Sequence, residues 1–449
     1  MSDFIEFQST SLRNGAFSLV KRLVDAGFEA LLVGGSVRDE QLGQIPKDYD
    51  IATSAKPDEI EQLFSKTIPV GKQFGVIMVL DSGYEYQVAT FRAEADYSDG
   101  RHPGYVRFAD AREDALRRDF TVNGLFYDPV TNVLHDWVGG KNDLKSKYIR
   151  TIGNPVERFR EDRLRMLRAV RLAVQLGFKI EPETFAAIQK NCSCISDVSA
   201  ERIRDELLKI FKPPYADRGL DLLLESGLLS EVLPEVKELI GCEQPFEFHP
   251  EGDVFSHVSL MLGSLTKEAS IELIWAVLMH DIAKPITFSC DENGRIRFLN
   301  HEKKGENISR RVMKRLRFPK KVIDAVASCV RHHMQLKDAQ RMRTATLRKL
   351  FLRPYFMTEL ELHRIDCLCS SGNLDNYYFL KDQYADFLGN PKLVNPFISG
   401  DDLISLGQSP GPNFGRILKE ARELQLEGKF ASREQALDWL QSELGNVKK

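Results

Sequence analysis

The sequence predicts an α+β head over residues 1–150 followed by an all-α remainder, and three observations carry that reading. Up to residue 150, short β-like runs alternate with helix-like ones. From Asn154 the pattern changes to apolar residues three and four apart, as in Leu164, Leu167, Val170 and Val174, and almost no strand signal follows. The length of 449 residues is enough for two to four domains with buried cores.

Taken in order, Ala30-Leu31-Leu32-Val33 is an apolar run of strand length that ends in Gly34-Gly35, and residues 37–42 read as a helix start. Asp48-Tyr49-Asp50-Ile51-Ala52-Thr53 reads as a second strand. Ile77-Met78-Val79-Leu80, residues 85–91, residues 120–127 and Val133-Leu134-His135-Asp136 are further strand candidates, the last two joined by Asp128-Pro129 and Thr131-Asn132 turn chemistry. Breaks at Pro213-Pro214, at Leu233-Pro234, across 241–252 and across 388–400 divide the helical part. The expected domains are 1–150, 151–240, 241–385 and 386–449, with no internal repeat or low-complexity tract.

Composition excludes several classes. A net charge of −3 rules out a uniformly basic nucleic-acid coat. Locally, sixteen Lys or Arg between His301 and Arg353 face four acidic residues, Glu302, Glu306, Asp324 and Asp338. Such a run is either a set of solvated helix faces or an electrostatic footprint for RNA. No apolar run approaches the ~20 residues of a membrane span, and Met1-Ser2-Asp3-Phe4-Ile5-Glu6 lacks the basic and apolar regions of a signal peptide, so no membrane association and a cytoplasmic location are expected. Seven cysteines, including Cys192/Cys194 and Cys367/Cys369, lack Cys-x-x-Cys spacing and read as free thiols.

Side chains two apart on a strand project from one face, roughly 6 to 7 Å apart. Asp48 and Asp50 can therefore address one pair of hard cations. Mg²⁺ is commonly held by one or two carboxylates plus substrate phosphates, and a two-metal site steadies the attacking and leaving oxygens of a phosphoryl displacement. Gly34 and Gly35, without Cβ, let backbone N–H groups approach a triphosphate, and Ser36 and Arg38 add a hydroxyl and a guanidinium. A Gly-Gly pair alone is common turn punctuation; the strand before it and the helix start behind it give this one its weight.

Arg117-Arg118-Asp119-Phe120-Thr121-Val122-Asn123 is a second block. Asp119 can accept from ribose hydroxyls, Asn123 can donate to or accept from sugar or phosphate, and Arg118 can pair with phosphate oxygens; a surface ion pair is the plainer alternative. A third block runs from Glu161 to Arg171. Asp162 and Arg165, three apart, share one face of a helix in this reading. An aspartate accepts from an exocyclic amino group and an arginine donates to ring nitrogen or carbonyl acceptors, so the pair matches the Watson–Crick edges of C and A and mismatches U and G by about 1 to 3 kcal/mol per lost pairing. The same spacing also suits a simple helix-stabilising ion pair.

The unit Gly34-Gly35-x-Val37-Arg38-Asp39-x(2)-Leu42-Gly43-x(4)-Asp48-x-Asp50 closely resembles the first motif of the tRNA nucleotidyltransferase and bacterial poly(A) polymerase family, the class II branch of the polymerase β superfamily. Arg117 to Asn123 resembles its second motif, with Gly124 where the family more often has Ala, a packing change. Glu161-Asp162-x-x-Arg165 resembles its nucleotide-selecting motif. The resemblance implies a polymerase β-like mixed-sheet head followed by a helical neck, body and tail. It implies that Asp48 and Asp50 bind two Mg²⁺, that Gly34, Gly35, Ser36 and Arg38 hold the phosphates, that Arg118, Asp119 and Asn123 bind the nucleotide, that Asp162 and Arg165 select the base, and that Arg168 and Arg171 point towards phosphates. The implied activity is transfer of CMP and AMP from CTP and ATP to the 3′ end of tRNA, with release of pyrophosphate.

Poly(A) addition and A-only addition remain alternatives within the family. Residues 95–104 resemble the flexible loop that CCA-adding and A-adding members keep, and Val70-Gly71-Lys72-Gln73-Phe74-Gly75-Val76 lacks the basic segment and His-Val pair of bacterial poly(A) polymerases. Gln87 stands where relatives often have an acidic residue, so either Glu85 substitutes or two carboxylates suffice. His257, His280-Asp281 and Asp366 resemble the metal-dependent HD phosphohydrolase pattern, with His301, His332 and His333 between them and seven of nine histidines lying from His249 to His363. These ligands suit a divalent transition metal. An HD hydrolase with a non-catalytic RNA-binding head is the alternative from another class.

Overall fold

The computed structural model describes residues 10–97, 103–245, 247, 250 and 252–447, and it divides into two compact units, Met1–Pro234 and Glu235–Lys449.

Among the described residues, unit 1 contains nine strands before residue 140: β1 (Ala30–Val33), β2 (Asp50–Thr53), β3 (Thr67–Gly71), β4 (Val76–Asp81), β5 (Tyr84–Thr90), β6 (Arg92–Tyr97), β7 (Pro103–Phe108), β8 (Leu125–Asp128) and β9 (Val133–Asp136). Seven form a mixed sheet in the order β3-β4-β5-β2-β1-β8-β9, while β6 and β7 pair as a separate hairpin. Only β2 and β5 run parallel; the other neighbours in the seven-stranded sheet are antiparallel. All four residues of β1 are buried, which is why this central strand reads as a continuous apolar run. The helices are α1 (Ser11–Asp25), α2 (Gly35–Gln41), α3 (Pro57–Leu63), α4 (Ala111–Leu116), α5 (Gly140–Ser146), α6 (Pro155–Glu161), α7 (Arg165–Leu176), α8 (Pro182–Asn191) and α9 (Ala200–Ile210), followed by two more up to Val232.

Helix α1 starts where the Thr10 hydroxyl accepts from the Arg13 N–H, and it buries Ala16, Leu19, Val20 and Leu23, its three- and four-spaced face. Arg13 Nε lies 2.7 Å from Glu40 Oε1, and the Tyr49 hydroxyl donates to the same carboxylate at 2.6 Å. This buried knot joins α1 and α2 to the segment entering β2. Tyr49 is 2 % exposed. Its side chain faces inward, so Asp48 and Asp50 on either side of it face the other way.

Three sequence readings need correction. β2 begins at Asp50, so Asp48 precedes the strand, although both carboxylates reach one cavity. Residues 120–127 are not one strand: Thr121–Asn123 forms a 3₁₀ turn before β8, held by the Thr121 hydroxyl donating 2.7 Å to Asp143. Asp162 and Arg165 do not share a helix. Asp162 ends α6 with extended backbone and Arg165 begins α7, so the pair straddles a break between helices. The short pairings Tyr148–Ile149 with Lys179–Ile180 and Phe288–Cys290 with Ile296–Phe298 carry too few residues to register as periodicity.

Gly124 is required by packing: a Cβ there would sit 2.7 Å from Val138 Cγ2 and 3.1 Å from Ile152 Cδ1. Gly124→Ala is expected to destabilise unit 1 by about 1–3 kcal/mol through overpacking, read as a lowered Tm. An unchanged Tm would show that Val138 moves aside at no cost.

Among the described residues, unit 2 is helical apart from one short hairpin. The helices Val254–Gly263, Ile271–Met279, Lys320–His332 and Phe356–Cys369 bury Val258, Trp275, Val326 and Leu362 at 0 % exposure. A separate cluster of Leu403, Ile417, Ala436 and Leu440 holds the last helices together. Among the described residues, no helix is long and apolar enough to cross a membrane.

Candidate active site

In unit 1 a cavity of about 580 Å³ is lined by Gly34, Gly35, Arg38, Asp48, Asp50, Arg118, Asp119, Asn123, Asp162, Arg165, Arg168 and Arg171, together with Arg92 and Arg117. Residues from all three sequence blocks therefore converge on one chamber. Seven arginines against four aspartates give its wall a net positive charge, suited to a polyanionic ligand. Ser36 is the exception among the expected residues. Its hydroxyl turns back to donate to the Val33 carbonyl at 3.3 Å and does not line the cavity.

Gly34 combines two constraints. Its φ of +75° is a conformation L side chains rarely adopt, and a Cβ would meet Arg118 Nη1 at 3.1 Å. Register sets Asp50 opposite Val33 on one side and Gln87 on the other. Glu85 is not among the residues that line the cavity. Burial and the neighbouring Asp48 push the Asp50 carboxyl up to about 6, with Arg118 opposing. Two carboxylates so placed, the half-buried Asp50 beside Asp48, are what a divalent cation fits.

Asp119 shows the opposite balance. Burial pushes its carboxyl up, but Arg168, which donates from Nε at 2.8 Å, and Asn123, which donates at 3.3 Å, hold it well below the usual carboxylate range. Arg38 Nη1 in turn donates to Asn123 Oδ1 at 2.6 Å. At the helix break, Asp162 Oδ1 accepts from the Leu164 N–H at 3.1 Å and Oδ2 accepts from Arg202 Nη2 at 2.8 Å. Arg165, 7 % exposed, donates from Nη1 to the Arg158 carbonyl at 2.9 Å and to Glu161 at 2.5 Å.

Several positioning residues escaped the sequence. Asp114 is 1 % exposed and accepts from Arg117 Nε at 2.9 Å and Arg118 Nε at 3.2 Å. Its place three and four residues ahead of them is a readable helix-pair signal. Glu206, which accepts from Arg171 at 3.2 Å, and Arg202 lie on α9, more than thirty residues downstream of their partners, where spacing gives no clue.

In unit 2, His257, His280 and Asp281 come together, as do Asp281, His301 and His333. Asp366 lies 3.2 Å from His257. His332 turns elsewhere, 3.4 Å from Glu359, and His249 lies outside the described residues. The basic run is partly neutralised: Arg310 pairs with Asp324, Arg315 with Glu235, Lys349 with Glu423 and Arg353 with Glu359, three of these acids lying outside the run. Lys303, Lys304, Arg311, Lys314, Lys320 and Lys321 stay exposed. Of the loop at 95–104, residues 98–102 lie outside the described residues.

The mixed sheet and its cavity define a nucleotidyltransferase. Residues 30–150 match the family model of the poly(A) polymerase head domain, residues 177–240 that of the probable RNA- and SrmB-binding site of polymerase A, and residues 254–361 that of the HD domain. The chain is 34 % identical to the CCA-adding enzyme of Lactobacillus johnsonii over 426 residues, 94 % of this chain and 95 % of that one. It is 43 % identical to the Bacillus pumilus CCA-adding enzyme over 218 residues, spanning about half of each, 48 % and 54 %. The crystal structure of the Bacillus stearothermophilus CCA-adding enzyme in complex with CTP superposes with a TM-score of 0.73 at 27 % identity, covering 98 % of this chain and 99 % of that one. The chain belongs to the CCA-adding enzyme family.

Proposed function

We propose that unit 1 adds CMP and AMP from CTP and ATP to the 3′ end of tRNA, releasing pyrophosphate, with its side chains in place of a template. The observation that carries this reading is the meeting of Asp162 and Arg165 with Asp48 and Asp50 in one cavity. Asp48 and Asp50 hold two Mg²⁺. The bound ions supply charge neutralisation on the triphosphate and a lowered pKa for the acceptor hydroxyl. Arg38 and Arg118 bind triphosphate oxygens, with Arg118 fixed by Asp114, while Gly34 and Gly35 let the chain approach closely. Asp119, kept ionised by Arg168, accepts from the ribose. Two carboxylates suffice, because Gln87 is the strand neighbour of Asp50 and Glu85 is absent from the cavity wall.

Base choice follows from anchoring. A carboxylate has about four lone-pair positions, so Asp162 can accept from an exocyclic amino group while bonded to Leu164 and Arg202. Arg165 has five N–H donors, and its described bonds use one nitrogen. The tRNA substrate implies a cytoplasmic location. We divide the chain functionally at 1–150, 151–240, 241–385 and 386–449, as head, neck, HD body and tail.

Metal binding at Asp50 competes with a proton. The apparent affinity for Mn²⁺ is expected to fall about tenfold per pH unit below pH about 6 and to level off above it. A Mn²⁺ titration of nucleotide-dependent activity at several pH values reads this directly, and a flat profile would show that the ions are held elsewhere. The activity itself is tested with single labelled nucleotides. CTP alone should extend tRNA lacking its last three nucleotides, and ATP alone should extend tRNA ending in CC by one. Extension by ATP only would mark an A-adding enzyme, and no incorporation would leave the HD hydrolase reading.

A further inference from the structure

Register across the mixed sheet lines up Phe126, Val33, Asp50, Gln87, Met78 and Ile68, one residue from each of β8, β1, β2, β5, β4 and β3. Residues opposite one another in register point to one face of a sheet, so these six form a single row on the face that carries Asp50. The other face is filled: Ile51, Ile77, Val79, Tyr86 and Val88 are at most 1 % exposed.

The row changes character at Asp50. On one side Val33 and Phe126 are buried, and the Arg118 guanidinium lies 4.7 Å over the Phe126 ring. On the other side Gln87 is exposed, Met78 is partly buried and Ile68 is 47 % exposed. None of these three lines the cavity. A sheet face with apolar residues is ordinarily covered by another layer, yet here the open part begins one strand away from Asp50. With strands about 4.8 Å apart, Ile68 lies roughly 14 Å from Asp50 along the row. That is the length of about four stacked nucleotides at ~3.4 Å each.

We propose that the open half of this row, Gln87, Met78 and Ile68, seats the 3′-terminal nucleotides of the acceptor RNA, with Gln87 bonded to the terminal ribose. The proposal rests on the nucleotide-adding reading of unit 1 and assigns the acceptor its side of that site. In-line displacement puts the attacking hydroxyl and the leaving pyrophosphate on opposite sides of the reacting phosphorus, both within reach of the same ions. Arg118 takes the triphosphate on the β8 side of Asp50, which leaves the β5 side to the acceptor. Met78 and Ile68 offer apolar surface to base faces. The Gln87 amide can donate to and accept from a 2′-hydroxyl, the group that distinguishes an RNA end. Pro69 removes one N–H from the edge strand β3, which disfavours pairing of that edge with a strand of another chain.

The test uses the full chain and tRNA ending in CC. With a photoreactive thiopyrimidine as the last nucleotide, ultraviolet cross-links are expected on β3, β4 or β5; cross-links confined to other segments, or none, would overturn the proposal. This readout needs no turnover. It therefore separates failure of the seat from failure of the nucleotide-adding reading, which shows as no incorporation by the parent chain. Ile68→Glu sets a carboxylate against phosphates at an exposed position, so KM for the tRNA should rise at least roughly fivefold while KM for ATP stays the same. Gln87→Ala should lower kcat/KM roughly 2- to 12-fold on the natural acceptor and have no effect on one whose last nucleotide is 2′-deoxy. Equal losses on both acceptors would remove Gln87 from the ribose. Self-association that Ile68→Glu abolishes, with the tRNA KM unmoved, would give the face to a second copy of the chain and overturn the proposal.

Discussion

Asp50→Asn is expected to abolish nucleotide addition while raising thermal stability. Asn keeps the shape of Asp at the start of β2, where register sets it opposite Val33, but removes the charge that binds metal. Loss of metal-borne charge stabilisation worth several kcal/mol corresponds to a fall on the order of 10³-fold or more in rate. The stability sign follows from linkage. Burial and Asp48 raise the folded-state pKa of Asp50 to about 6, above its ordinary 3.8, so the folded chain binds the extra proton between those values. Stability therefore falls as pH rises through that window, and at pH 7 the ionised carboxylate opposes folding. Asn removes this opposition. A higher or equal Tm with lost activity is the expected pair of results; retained activity would remove Asp50 from the chemistry, and a lower Tm would contradict the burial argument.

Asp162→Ala is expected to relax base selection. Its carboxylate is anchored on both oxygens, by the Leu164 N–H and by Arg202, so it meets the incoming base in one orientation. With it in place, U or G brings a carbonyl against an acceptor; without it, that mismatch vanishes and so does one pairing to C or A. Each effect is worth about 1 to 3 kcal/mol, or roughly 5- to 150-fold in kcat/KM for each base. Use of CTP and ATP should fall while UTP and GTP gain. Arg202→Ala should shift selection in the same direction by less, since the carboxylate stays but loses its anchor. Comparing kcat/KM for the four nucleotides reads both, and unchanged discrimination in Asp162→Ala would refute selection by this side chain.

The parts of this molecule legible in its sequence are those fixed by local chemistry. Ala30–Val33 announced itself because a strand covered on both faces must be apolar throughout, and β8 ended where turn residues begin. Asp48 and Asp50 line one cavity although only Asp50 is in the strand, because the buried Tyr49 between them imposes the same alternation. Asp162 and Arg165 line that same cavity but from different helices: helical spacing cannot reveal that α6 stops at Glu161 and the chain turns before Arg165. What spacing missed is long-range. Glu206 and Arg202 reach Arg171 and Asp162 only once α9 packs against α7, and Ser36 is claimed by the Val33 carbonyl of its own turn. His332 and His333 are neighbours in sequence, yet only His333 reaches Asp281.

The central claim is that side chains in one cavity choose C and A and stop. It is tested most directly by giving the purified chain all four nucleotides at once with tRNA lacking its last three nucleotides, then sequencing the 3′ end. The expected product carries C, C and A and grows no further. A long A tract, or U and G at those positions, would contradict it.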